Sequence, residues 1–85
     1  MARVLITGIT GQDGAFLARD LIKKGFKVFG TLRRGGSPKS QKLKQLNILN
    51  KIKFEELELT EFANVFQVVK KIKPDFIYNL ASQNS

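Results

Sequence analysis

Val4-Leu5-Ile6-Thr7-Gly8-Ile9-Thr10-Gly11-Gln12-Asp13-Gly14 is the stretch on which the fold turns. Val4 to Ile6 is short, apolar and β-branched at two of its three positions, which predicts a buried strand. Three glycines follow at intervals of three. Beyond them the pattern turns helical, with Phe16, Leu17, Leu21 and Ile22 apolar and Arg19, Asp20, Lys23 and Lys24 charged. Strand, glycine loop and helix in that order are the context a dinucleotide-binding loop requires. On that reading Gly8 turns the chain out of the strand, Gly11 leaves no Cβ in the path of a pyrophosphate, and Gly14 lets the helix pack closely. The free N–H groups of the first helical turn then face the anion, with the helix dipole behind them. The spacing G-x-x-G-x-x-G is one residue longer than the commonest fingerprint, and taken alone it fits a structural turn as well as a phosphate loop.

Working outward, Gly25 follows two lysines and predicts the end of the first helix. Lys27 to Leu32 reads as a second strand, completing a βαβ unit with a right-handed crossover. Arg33-Arg34-Gly35-Gly36-Ser37-Pro38 is a turn. Leu43, Leu46, Ile48, Leu49 and Ile52 then suggest a short, imperfect helix ending near Asn50. Lys53 to Leu59 is a third strand candidate. Thr60 is placed as an N-cap, and Phe62, Val65, Phe66, Val69 and Ile72 form an amphipathic stripe assigned to the core. Pro74 ends that helix. Asp75 to Ala81 is a fourth strand, apolar enough to be buried on both faces. The order βαβ(α)βαβ predicts an α/β fold, the N-terminal part of a Rossmann-type doubly wound parallel sheet. Such a sheet needs more strands and helices than this, so residues 1–85 are expected to be the N-terminal portion of a larger enzyme, the remainder being absent.

Composition narrows the chemistry. A hydrophobic fraction of 42% is that of a globular chain rather than a disordered one. Cysteine and histidine are both absent, which removes disulfides, thiolate metal sites and the commonest general base, and no metal site is expected. No apolar run approaches the roughly twenty residues of a membrane span. Met1-Ala2-Arg3 leads into the first strand without a signal-peptide core, so a cytoplasmic protein is expected. The net charge is +8, and residues 33 to 53 hold seven Lys or Arg and no acid. A field of that sign favours a polyanionic partner, although most of the lysines suit a solvated face.

Three segments, Leu5 to Gly14, Arg33-Arg34 and Tyr78-Asn79-Leu80-Ala81-Ser82-Gln83, resemble the GDP-mannose 4,6-dehydratases, a family of extended short-chain dehydrogenase/reductases. The resemblance implies that Gly8, Ile9, Thr10, Gly11, Gln12, Asp13 and Gly14 surround the cofactor pyrophosphate and that Arg33 and Arg34 meet the adenosine 2′-phosphate. Glu58-Leu59 stands where the family has Asp-Leu beside the adenine. Leu80, Ala81 and Gln83 fall near the nicotinamide ribose, and Asn84 occupies a place where serine is frequent. It also implies a dinucleotide as partner, GDP-mannose as a substrate of the full-length enzyme only, and a homo-oligomer.

The residues agree independently on the cofactor. An NAD-preferring site has an acid at the end of the second strand; here there are two arginines and no acid before Glu55, so NADP is expected. The family's Tyr-x-x-x-Lys pair is missing: Tyr78 is the only tyrosine, with Ser82 four places on. No catalytic residue is therefore expected, and the chain alone should be inactive. Two alternatives remain, a segment of another nucleotide-sugar epimerase or reductase, and a small basic nucleic-acid-binding module. Phe62, Phe66 and Phe76, placed on core faces, count against the second. Replacing Gly11 with valine should abolish dinucleotide binding in the folded protein, measured by titration; unchanged affinity would disprove the phosphate-loop assignment.

Overall fold

The computed structural model describes residues 2–9, 12–32, 41–58 and 61–80. Four strands, β1 (Arg3–Thr7), β2 (Lys27–Leu32), β3 (Lys53–Glu56) and β4 (Phe76–Asn79), form one parallel sheet in the order β3-β2-β1-β4. Helix α1 (Gln12–Lys23) joins β1 to β2. A short α2 (Gln41–Gln45) and a single 3-10 turn, Leu49–Lys51, lie between β2 and β3, and α3 (Phe62–Ile72) joins β3 to β4. The expected imperfect helix is thus two pieces, interrupted at Asn47, which takes the left-handed conformation at φ 58° that asparagine tolerates.

Alternation along β1 divides the core in two. Val4 and Ile6, with Val28, face a cluster built from Ala15, Ala18 and Leu21 of α1, Leu43 of α2, and Ile48 and Ile52. Leu5, with Phe29, faces the other way and meets Leu57 and the α3 residues Val68 and Ile72. A strand buried on both faces explains why Val4-Leu5-Ile6 is continuously apolar rather than alternating. Helices α1 and α2 therefore cover one face and α3 the other. The fold is α/β, a Rossmann-type doubly wound parallel sheet.

Helix ends follow from local chemistry. Gly25 has φ 92°, its N–H bonds to the Ile22 carbonyl, and the Phe26 N–H reaches back to Leu21. In α3 the stop is Lys73, which adopts a left-handed conformation and donates its N–H to the Val69 carbonyl at 2.8 Å, with Pro74 next. Arg3 adds a cation at that negative helix end, its Nη1 donating to the Ile72 carbonyl at 2.8 Å. The N-cap of α3 is Glu61, not Thr60, and Thr60 lies outside the described residues.

Two expectations about burial are corrected. Phe62 and Phe66 are 82% and 59% exposed, and the face that α3 buries is Val65, Val68, Val69 and Ile72. Measured from the centre of that face at about 100° per residue, Phe66 stands roughly 110° away, and Phe62 sits in the first turn, where the packed stripe has not begun. Strand β4 is not buried on both faces either. Phe76, Ile77 and Tyr78 are exposed, because β4 is an edge strand paired only with β1 among the described residues. The argument from buried phenylalanines against nucleic-acid binding therefore fails. These positions give a direct check by urea denaturation: Val68→Ala should cost on the order of 1–3 kcal/mol, whereas Phe62→Ala should stay within about 0.5 kcal/mol.

Candidate functional site

In a parallel sheet every strand ends at the same edge, so sequence positions far apart converge there. Gly8 follows β1, Glu58 follows β3 by one residue beyond Leu57, and Leu80 follows β4. Helices α1 and α2 carry the chain from β1 to β3 on one side, and α3 returns it across the sheet to β4 on the other. The order reverses between β1 and β4, and α1 begins beside that point. Ligands of doubly wound folds bind in the crevice outside such a reversal.

Glycine geometry holds the Gly8-Ile9 turn there. Gly8 has φ 72°, turning the chain out of β1 in a conformation costly to most side chains. Gly14, buried in the first turn of α1, lies so close to the loop that a Cβ on it would stand 2.6 Å from the Gly8 carbonyl oxygen and 2.7 Å from Ile9 Cα. Those neighbours are backbone and cannot swing aside. Ile9 is fully buried, and its side chain fills the space that Gly30 of β2 leaves: a Cβ on Gly30 would stand 2.7 Å from Ile9 Cγ2. Two glycines, one in α1 and one in β2, thus clamp a two-residue turn between helix and sheet.

The side of the crevice formed by β1 and β4 is tied by Thr7 and Asn79, register partners in the sheet. The Thr7 hydroxyl donates to Asn79 Oδ1 at 2.5 Å, and the Leu80 N–H donates to the Thr7 carbonyl at 3.1 Å. Neither Thr7 nor Asn79 stood out as a site residue in the sequence. They are 72 positions apart, and only the strand order brings them together. At the β3 end, the Glu58 N–H donates to Asn64 Oδ1 at 2.6 Å and the Glu58 carbonyl accepts from the Glu61 N–H, which fixes that corner against the start of α3.

Of the expected site residues, Gly8, Ile9, Gln12, Asp13, Gly14, Glu58 and Leu80 therefore lie along one edge of the sheet or in the first turn of α1. Because the Ile9 side chain is committed to the core, only its backbone is left to face a ligand. Asp13 is exposed, and its carboxylate would repel a pyrophosphate, so a contact from it also has to be main-chain. Thr10, Gly11, Arg33, Arg34, Leu59, Ala81 and Gln83 lie outside the described residues. Among the described residues no cluster of His, Cys, Asp or Glu could hold a metal ion, and no helix is long and apolar enough to cross a membrane. A shallow cleft along β3 and α3, lined by Phe54, Val68, Glu55 and Lys71 among others, includes none of the described residues of the glycine loop.

Comparison with known proteins gives consistent results. The family model for GDP-mannose 4,6 dehydratase matches residues 5–85. The GDP-mannose 4,6-dehydratase of Yersinia enterocolitica is 40% identical, the match covering 99% of this chain and 24% of the relative. A Bordetella bronchiseptica enzyme solved in complex with NAD+ superposes with a TM-score of 0.72 at 28% identity, covering all of this chain and 27% of the other. An actinorhodin polyketide ketoreductase solved with NADPH superposes with a TM-score of 0.65 at 27% identity, covering 96% of this chain and 33% of the other. The chain spans about a quarter of the length of the dehydratase it matches.

The clamp can be tested by urea denaturation. Gly30→Ala should cost about 1–3 kcal/mol, and the cost should shrink when Ile9→Ala has already removed the opposing methyls. Gly14→Ala, which meets backbone, should be as costly in either background.

Proposed function

This chain belongs to the GDP-mannose 4,6-dehydratase family, and on that premise we propose that it is the NADP-holding segment of a nucleotide-sugar dehydratase converting GDP-mannose to its 4-keto-6-deoxy product. The observation that carries this reading is the meeting of the clamped glycine turn, the start of α1 and the tied ends of β1 and β4 at the reversal of strand order. The first N–H groups of a helix have no intrahelical acceptor, so the start of α1 offers Gln12, Asp13 and Gly14 donors to an anion. Gly8, Ile9, Thr10 and Gly11 complete the backbone cradle for a pyrophosphate.

The remaining roles follow the direction of the crevice. Glu58 and Leu59, after β3, border the adenine. Arg33 and Arg34, the two residues after β2, take the adenosine 2′-phosphate, where a carboxylate would repel it. Leu80, Ala81 and Gln83, after β4, border the nicotinamide ribose. When bound, the dinucleotide supplies a reversible hydride acceptor for oxidation at C4 of the sugar and reduction at C6 after water is lost. This chain binds and orients that group. It carries no Tyr-x-x-x-Lys pair to move the proton, and Tyr78, exposed on β4 and followed four places later by Ser82, does not substitute for one. By itself the chain is a cofactor-binding unit without dehydratase activity, and a cytoplasmic setting suits a chain with no cysteine to oxidise.

The arginines decide the cofactor. A guanidinium on a phosphate contributes about 1.5–3 kcal/mol per charge-assisted bond, offset in part by desolvation. Arg33→Ala should therefore weaken NADP binding roughly ten- to a hundred-fold and leave NAD nearly unchanged, with Arg34→Ala acting in the same sense but less. Fluorescence titration of both dinucleotides against each variant makes the check. Equal loss of both cofactors would make Arg33 a structural residue, and an unchanged preference would place the 2′-phosphate elsewhere.

A further inference from the structure

The opposite edge of the sheet carries a second arrangement of charge. Each of three neighbouring strands begins with a cation: Lys53 in β3, Lys27 in β2 and Arg3 in β1. Arg3 pairs with Lys27, and Lys53 pairs with Phe29, which shares a face of β2 with Lys27. Register therefore puts all three side chains on the α3 face of the sheet, in a row at its N-terminal edge. Two contacts fix the row independently. The Arg3 guanidinium is held on that face by the Ile72 carbonyl, and the Lys27 ammonium lies over the Phe29 ring, 5.7 Å from its centre.

Among the described residues, no acidic side chain answers Lys27 and Lys53. The nearest carboxylates by register are Glu55, bound by Lys71 at 3.1 Å, and Asp75, which accepts the Arg3 backbone N–H at 2.8 Å. Among the described residues, no ion pair reaches either lysine. The lysines repel each other enough for Lys53, first among several causes, to hold Lys27 below its ordinary pKa, with desolvation and Arg3 adding to the effect.

We propose that Lys27 and Lys53, with Arg3 behind them, form a site for a phosphate-class dianion at the N-terminal edge of the sheet, on the side of the domain away from the glycine loop. A tetrahedral dianion accepts from several cations at once and relieves a repulsion that the sheet register imposes. The proposal does not depend on the cofactor reading, since it concerns the opposite edge. Its source is either free inorganic phosphate or the phosphate of a monoester.

The test is an NMR titration of the chain labelled at lysine Cε and at backbone nitrogen, with ionic strength held constant by chloride. Inorganic phosphate is one arm and glycerol 3-phosphate the other. Saturable shifts at Lys27 and Lys53 in either arm are expected, and the tighter ligand identifies the source. Lys53→Gln and Lys27→Gln, surface changes that leave the core untouched, should each weaken that binding about tenfold. Shifts confined to Gly8 and Asp13 at the glycine loop, shifts that grow linearly without saturating, or equal affinity in both variants would overturn the proposal.

Discussion

Everything at the C-terminal edge of the sheet depends on how closely α1 can approach the end of β1. Helix and turn are in contact through backbone, Gly14 against the Gly8 carbonyl and Ile9 Cα, with no side chain between them. That proximity aims the first turn of α1 at the space above the sheet. It also forces Ile9 inward, where Gly30 makes room for it. A larger residue at either glycine would push the helix start away from the strand ends, and the donors of its first turn would lose their common target. The same packing makes the Gly8-Ile9 turn part of the core, so the shape of this edge and the stability of the fold are not separable at these positions.

Much of this was legible in the sequence because the informative features are local. The G-x-x-G-x-x-G spacing, the bounds of β2 and the stop at Gly25 are set by residues within a few positions of one another. What was not legible depends on partners distant in the chain. In α3 two apolar stripes share Val65, Val69 and Ile72, and periodicity alone does not choose between the one continuing through Phe62 and Phe66 and the one continuing through Val68. The choice is made by Leu5, Phe29 and Leu57, which face Val68. Likewise, the apolar run of β4 resembles a central strand, yet its exposure is set by its place in the strand order. The Thr7–Asn79 bond is invisible in sequence for the same reason, whereas the family resemblance, carried by short contiguous motifs, was fully visible.

Charge is distributed between the two ends of the sheet according to a simple rule. Parallel strands and their crossover helices place all helix N-termini at the C-terminal edge, giving it a positive backbone potential suited to a dinucleotide. Helix C-termini gather at the other edge, and there positive side chains offset the dipoles: Lys23 in the last turn of α1, Lys70 and Lys71 in that of α3, and Arg3 on the Ile72 carbonyl. Part of the +8 net charge is thus a consequence of topology and helix electrostatics and does not by itself signal nucleic acid. Lys27 and Lys53 are the exception, since they begin strands and cap no helix.

The most direct measurement is a map of backbone amide shifts as NADP is added to the folded chain. The crevice assignment predicts saturable changes at Gly8, Ile9, Asp13 and Gly14, with Asn79 and Leu80 following, and little change at Val68 or Ile72 beneath α3. Shifts centred on the cleft between β3 and α3, with the glycine turn silent, would contradict it.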